Sequence, residues 1–335
     1  LGRPDGKVVE DLKLAPVAKH LSELMNLPVL TAPDCIGPEV ERVIAKLNDG
    51  DILLLENLRF HKEEEENEPT FAQKLAQLAN IYVNDAFGTA HRAHASTVGV
   101  TRYLPAVAGF LMEKELETLG KILKMPERPF CTLVGGAKVS DKLGLLHNFV
   151  DKVDSLLIGG GMSATFLKAK GYEVGRSLIE EDKLSMAREI MKQASRKGVI
   201  LLVPEDVVTT ETIDAKAPIK IVPVAEIPPG YSIVDIGPKT IERFSIELRK
   251  SKTILWNGPV GIYEIPQFAQ GTKTMAIVLA DLRAATIIGG GSTVDVVTEM
   301  GLIGKMTHVS TGGGASLMFL EGKTLPGVAV LMDKN

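Results

Sequence analysis

Cysteine, long apolar runs and net positive charge are all in short supply, and each shortage closes a class of reading. Two cysteines in 335 residues, Cys35 and Cys131, are too few for a disulfide framework. They fit a reducing compartment, with buried inert thiols the expectation. No apolar run approaches the ~18 residues that a membrane helix needs, so no membrane partner is expected. A formal net charge of −4 gives no global attraction for nucleic acid or anionic lipid. Any anionic ligand must then be held by a local group of cations. There is no Walker A motif and no protein-kinase signature set. No His, Cys, Asp and Glu set is spaced as metal ligands, and no nucleophile stands beside a readable base. Nothing at the amino terminus resembles a signal peptide. The chain opens at Leu1-Gly2-Arg3-Pro4 without a Met and is expected to be a fragment lacking its true start.

What the chain does have is glycine, 32 residues of it, much of it set directly after apolar runs. Phe130–Val134 leads into Gly135-Gly136-Ala137-Lys138, and Ser155–Ile158 into Gly159-Gly160-Gly161. Thr253–Trp256 leads into Asn257-Gly258-Pro259-Val260-Gly261, Thr286–Ile288 into Gly289-Gly290-Gly291, and His308–Thr311 into Gly312-Gly313-Gly314. Short apolar runs of this kind describe strands buried on both faces. A glycine turn at the carboxyl end exposes backbone N–H groups to a phosphate, and a following helix turns its positive end to the same place. Several such loops from one sheet would line one crevice outside the strand ends, as open α/β sheets do, and hold a polyphosphate.

Length favours two domains, and 45% hydrophobic with 24% charged residues is the composition of an ordinary soluble globular protein. In the first part, helical spacing over Leu12–Leu24 and Pro38–Leu47 alternates with strand signals at Val29–Thr31, Asp51–Glu56 (a buried strand) and Ile81–Asp85. Pro69 opens an amphipathic helix with Phe71, Leu75 and Leu78 on one face. A helix over Phe110–Lys124, ended by Met125-Pro126, is the expected interdomain connector. The glycine-terminated strands follow to about Ser310. Such alternation favours parallel sheets with right-handed crossovers. The run Glu63–Glu66 is read as a solvated face.

Lys138 and Lys142 stand four residues apart. Lys142 is placed in the first turn of a helix and Lys138 on the loop before it, where a cation opposes the helix dipole unless an anion is present. Gly159–Ala164 also fits a loose dinucleotide fingerprint, with Glu180, Glu181 and Asp182 following at about the right distance, which keeps a NAD-dependent oxidoreductase among the readings. In the first part Arg3, Arg59 and the group His91-Arg92-Ala93-His94 suit recognition of phosphate or carboxylate. His61, His94 and His147 are read as structural. From the residues alone, the chain is a two-domain protein with a polyphosphate site in one domain and an anion site in the other.

These same segments resemble the phosphoglycerate kinase family. Leu1–Pro4, Glu56-Asn-Leu-Arg-Phe-His61, Asn84–His94, Gly135–Lys142, Trp256–Gly261 and His308–Ser316 follow that family's signatures in order, over the whole chain. The resemblance implies two doubly wound, Rossmann-like α/β domains with parallel sheets, joined by the 110–124 helix, with a cleft between them. Residues 1–109 with 317–335 would form the phosphoglycerate-binding domain and 125–316 the nucleotide-binding domain. It implies phosphoryl transfer from 1,3-bisphosphoglycerate to ADP, giving 3-phosphoglycerate and ATP, in a monomeric, cytoplasmic, hinge-bending enzyme of glycolysis that uses Mg²⁺. No nucleic-acid partner is implied.

By the same resemblance, Arg3, Arg59, His91 and Arg92 bind the phosphoglycerate. Lys138, Gly291 and Gly314 act on the transferring group. The nucleotide falls to Gly136, Ala137, Lys138, Lys142, Gly160, Gly161, Asn257, Pro259, Gly261, Ile262 and Glu264, with Gly290, Gly291, Ser292 and Thr293 at its phosphate end. Two departures stand out. The family's residues before Leu1, among them substrate ligands and a central strand, are not in this sequence, so the chain by itself is expected to be inactive or nearly so. At Ser292 the family has a metal-binding Asp, and a hydroxyl ligates Mg²⁺ without a negative charge. A non-catalytic nucleotide-binding relative is the reading that Ser292 keeps open.

Overall fold

A computed structural model describes residues 1–333, which divide into two compact units. The first comprises Leu1–Glu113 and the segment from Thr324 onward, and the second Lys114–Lys323. The unit boundary thus falls inside the helix Phe110–Lys124. The chain leaves the second unit at Thr324, later than the expected 317, because the helix Gly314–Leu320 packs on the helix Leu143–Phe149. Of the expected 317–335 segment, residues 334 and 335 lie outside the described residues.

The first unit contains strands β1 (Val29–Thr31), β2 (Ile52–Leu54), β3 (Tyr82–Asn84) and β4 (Ala106–Ala108). They form two separate parallel pairs, β1 with β2 and β3 with β4. A cavity of about 680 Å³ is lined by Leu54 at the end of β2, Leu55 just after it, and Tyr82, Val83 and Asn84 of β3. For that reason Ile52–Leu54 is only half-buried and not the fully buried strand its sequence promises.

The segment after Gly322 closes on this unit, with Gly327 N donating to Ala90 O at 2.9 Å and Asn84 Nδ2 to Gly327 O at 3.3 Å. The acidic run is not a solvated face throughout. Glu64 is buried and accepts from Ser96 N at 2.9 Å and Ser96 Oγ at 2.5 Å. Its neighbours remain near the surface because they share one short helix, Lys62–Glu65, of which only one side meets the core.

The second unit is built on β5 (Phe130–Val134), β6 (Ser155–Ile158) and β7 (Ile200–Leu202). These are followed by β8 (Asp206–Thr210), β9 (Ile219–Pro223), β10 (Ser232–Ile236), β11 (Thr253–Asn257), β12 (Ala285–Gly289) and β13 (His308–Val309). Six of them make one parallel sheet in the order β13-β12-β11-β5-β6-β7. Successive strands run outward in opposite directions from the β5–β11 junction, the doubly wound arrangement whose ligand crevice opens at that switch point. β5, β6 and β11 are buried along their whole length. Leu133, Leu157, Trp256 and Ile288 meet Phe244, Leu248 and Met275 from the covering helices in one core.

A second sheet, antiparallel and in the order β10-β8-β9, sits between β7 and β11 in sequence and was not foreseen from it. On β10, Asp235 is buried and accepts from Gly271 N at 2.7 Å and Ile236 N at 2.8 Å. Burial outweighs those donors and pushes its carboxyl up to about 7 from the ordinary 3.8. The folded state therefore holds this proton across that window while the unfolded chain releases it. From this group, stability falls as pH rises from about 4 to about 7. Denaturant titrations across that range are expected to show a shallower decline in Asp235→Asn than in the parent chain; equal slopes would assign the proton elsewhere.

Candidate functional site

At the carboxyl ends of β5, β6 and β11 three glycine loops are bonded to one another through backbone alone. Gly135 N donates to Asn257 O at 3.0 Å, Gly136 N to Pro259 O at 2.9 Å, Gly160 N to Val260 O at 2.9 Å, and Met162 N to Gly136 O at 3.0 Å. Such contact leaves no room for side chains. A Cβ on Gly135 would lie 2.1 Å from Pro259 O, and one on Gly160, at φ +66°, 2.7 Å from Gly136 N. The fourth loop is tied in by Thr293, whose Oγ1 accepts from Gly258 N at 2.8 Å.

Two chambers open above this seam. The larger, of about 480 Å³, is lined by Gly136, Ala137, Gly160, Gly161, Ala164, Pro259, Gly261, Ile262, Tyr263 and Glu264, and by Ser232, Ile233 and Val234 of β10. Arg176, Ser177, Leu178 and Ile213 complete its wall. The smaller, of about 190 Å³, is lined by Lys138, Asp141, Lys142, Asn257, Gly258, Gly290, Gly291 and Thr293. Gly136, Ala137, Pro259 and Ser292 belong to both, so the two are continuous.

The smaller chamber is prepared for an anion. Lys142 is the residue before the helix Leu143–Phe149 and donates through Nζ to Asn257 Oδ1. Desolvation lowers its pKa, opposed by the charges of Asp141 and Glu321. Asn257 is buried, and its Nδ2 has no hydrogen-bond partner. A buried donor left unpaired costs about 1–3 kcal/mol, which a ligand oxygen would recover. Gly290 precedes the helix Gly291–Glu299, so Gly291 and Ser292 present free N–H groups and the positive helix end to the same space. Lys138 is exposed on the loop, free to reach a ligand.

Every residue assigned to the nucleotide from the sequence lines one chamber or the other. Gly314, beside the edge strand β13, lines neither. Sequence reasoning missed Arg176 to Leu178, Ile213 and the β10 wall, none of which carries a glycine signal. It also missed Asp141, whose place between the two lysines was the available clue. The acidic residues meant to complete the NAD fingerprint are used otherwise. Glu180 accepts from Ser140 N at 3.0 Å and Asp182 pairs with Lys183 at 2.5 Å, on a turn and not at a strand end.

One further network, confined to the second unit, reaches the last glycine loop. Buried Glu115 pairs with His308 Nε2 at 2.8 Å and accepts from Thr311 N at 2.7 Å and Thr311 Oγ1 at 2.9 Å. Burial alone would raise this carboxyl, but the hydrogen bonds from His308, Thr311 and Ser310 outweigh it and hold it low.

In the first unit Arg59 Nη1 donates to Gly2 O at 2.8 Å and Gly6 N to Arg59 O at 3.2 Å, which ties the segment bearing Arg3 to the Arg59 turn. Desolvation lowers the His94 pKa, and the charges of Arg59, Arg92 and His91 push the same way, so these cations lie together. His91 is likewise depressed by burial and by Arg92, and its Nδ1 has no partner. Sequence spacing also missed one grouping here: Asp34, Cys35 and His61 bring their ligand atoms within 4.8 Å of one another.

A doubly wound sheet with two continuous chambers at its switch point is the arrangement in which open α/β proteins hold their ligands. The comparisons take this further. The chain matches the family model for phosphoglycerate kinase over residues 1–323 and belongs to that family. It is 58% identical over 335 residues to the phosphoglycerate kinase of Dictyoglomus turgidum, covering all of this chain and 84% of that protein. With that of Moorella thermoacetica it shares 54% identity over 334 residues, all of this chain and 85% of the relative. Among solved structures, phosphoglycerate kinase from Coxiella burnetii matches with TM-score 0.86 and 41% identity, over 98% of this chain and 84% of that one.

Gly160→Ala is expected to cost about 1–3 kcal/mol, the usual scale of forcing a side chain into this backbone conformation, and to deform the seam. Thermal unfolding with and without ADP reads both effects; unchanged stability and ADP response would show the seam to be tolerant.

Proposed function

We propose that the fold and site of this chain serve the phosphoglycerate kinase reaction, the reversible transfer of a phosphoryl group from 1,3-bisphosphoglycerate to ADP. The observation that carries the nucleotide half is the unpartnered Asn257 Nδ2 beside half-buried Lys142, in a glycine-lined chamber continuous with a larger, partly apolar one. On this reading the base and ribose lie against Gly160, Gly161, Pro259, Gly261, Ile262 and Glu264. The phosphates lie at Gly290 to Thr293, Asn257 and Lys142. Lys138, with the N–H of Gly291 and with Gly314, follows the phosphoryl group as it moves.

Little covalent chemistry is asked of the protein. Phosphoryl transfer is positioning plus cancellation of charge on the equatorial oxygens, and lysines with fixed backbone dipoles supply that. The phosphoglycerate half rests on Arg3, Arg59 and Arg92, whose guanidinium forks match carboxylate and phosphate in pairs, and on the imidazole of His91. With the proposal go domain closure, a monomeric state and a cytoplasmic setting, all expectations of the family.

Mg²⁺ enters as part of the nucleotide substrate. The smaller chamber offers the Asp141 carboxylate and the Ser292 hydroxyl among its oxygen donors, a set that suits a metal already held by phosphates and not one anchored by the protein alone. When bound, the ion neutralises phosphate charge. Ser292 supplies at most a neutral oxygen to it.

Calorimetric titration with ADP tests the site directly: saturable binding is expected, and no binding by folded protein overturns the reading. Lys142→Ala is expected to weaken ADP by about ten- to a hundredfold, the worth of one charge-assisted hydrogen bond. Because the lysine must be protonated and its pKa is lowered, affinity should fall as pH rises toward that pKa. Ser292→Asp is expected to strengthen the Mg²⁺ dependence of ADP binding; an unchanged dependence would remove Ser292 from the metal's surroundings.

A further inference from the structure

The group Asp34, Cys35 and His61 lies in the first unit, and none of the three lines either chamber assigned to the nucleotide. Asp34 and Cys35 follow β1 and His61 follows β2, so parallel pairing of these neighbouring strands delivers both loops to one end of the sheet. The loops are held there independently of any ligand. Asp34 O accepts from Glu56 N at 3.3 Å, Asp34 Oδ1 accepts from Cys35 N at 2.6 Å, and the His61 ring tilts against Phe71 with centroids 5.3 Å apart. Asp34 Oδ1 and His61 Nε2 are 2.7 Å apart.

We propose that Asp34, Cys35 and His61 form a binding site for one borderline-soft divalent cation, of which Zn²⁺ is the type. The donor set decides the class of ion. One thiolate, one imidazole nitrogen and one carboxylate suit zinc at three of four tetrahedral positions, whereas Mg²⁺ and Ca²⁺ demand oxygen. The burial gradient supplies access. Cys35 is fully buried on the floor, while the side chains of His61 and Asp34 are 27% and 44% exposed at the mouth. A solvent water takes the fourth position.

On binding, the Cys35 S–H bond breaks, its proton passes to solvent, and a sulfur–metal bond forms. His61 coordinates through the Nε2 lone pair as its Nδ1–H tautomer, and Asp34 exchanges its contact with that ring for the metal. The two ligand anions cancel the charge of the cation. Loading would pin the loop after β1 to the turn Leu58–Phe60 that carries Arg59.

The bland account of the same residues is an Asp34–His61 ion pair resting on a core cysteine. Thiolate coordination separates the two. Anaerobic titration of the full chain with Co²⁺, in a non-chelating reductant, is expected to saturate at one equivalent. A thiolate-to-cobalt charge-transfer band and strong tetrahedral d–d absorption should appear, and Zn²⁺ should displace both. Cys35→Ser should lose the charge-transfer band, and His61→Gln should weaken binding about tenfold or more. His20→Gln, at an exposed surface histidine, should change nothing. Absence of the band in the parent chain overturns the site, as does its survival in Cys35→Ser. If Cys35→Ser does not fold, His61→Gln decides alone, and unchanged affinity there overturns the proposal.

Discussion

The second unit depends on one constraint: three loops from strands β5, β6 and β11 must touch through backbone with nothing between them. Hydrogen bonds that run from Gly135 and Gly136 to Asn257 and Pro259, and from Gly160 to Val260, fix the spacing of the strand ends. That spacing decides where Lys142 and Asn257 stand, and it leaves the chambers open above. Parallel order places β5 and β11 side by side at the switch point, so the seam falls where the sheet geometry already opens a crevice. Glycine at these positions is a packing requirement before it is a binding one.

Around that seam the polar groups are poised and incompletely satisfied. Lys142 is desolvated yet meets only a neutral amide oxygen, and the same amide keeps an unused donor. A site of this kind is unfavourable when bare and favourable once a polyanion enters, because low local dielectric strengthens the new contacts as much as it penalises the missing ones. Glu115 shows the opposite condition. Its oxygens are matched to His308 and Thr311, and the last glycine loop is held by a network with both carboxylate oxygens in use.

The parallel sheet and its loops were legible because local signals carried them: short apolar runs ending in glycine mark buried strands whatever the tertiary context. The residues assigned to the nucleotide were drawn from the same signal, and each lines one of the two chambers. What stayed hidden depended on distant pairing. β8, β9 and β10 went unread: β9 is largely exposed and β10 bulges between Ile233 and Asp235. The burial of Glu64 follows from Ser96, 32 residues away, and no charge pattern encodes that. Asp34 and His61 are 27 residues apart and meet only because β1 and β2 pair. Asp51–Glu56 looked buried by composition, yet its strand β2 is paired along one edge only.

The antiparallel sheet gives the candidate site two authors. On the proposed reading the phosphate-facing groups come from the loops of the parallel sheet, where a Cβ on Gly135, Gly160 or Gly258 would collide with backbone. Much of the wall of the larger chamber comes from β10 and the segments near it, an excursion of the chain between β7 and β11 that the parallel sheet does not need for its own register. Evolution can therefore rework the two halves at different rates. Substitutions within residues 206–236 can reshape what the larger chamber admits while the smaller one stays untouched, so the two can change their selectivity separately.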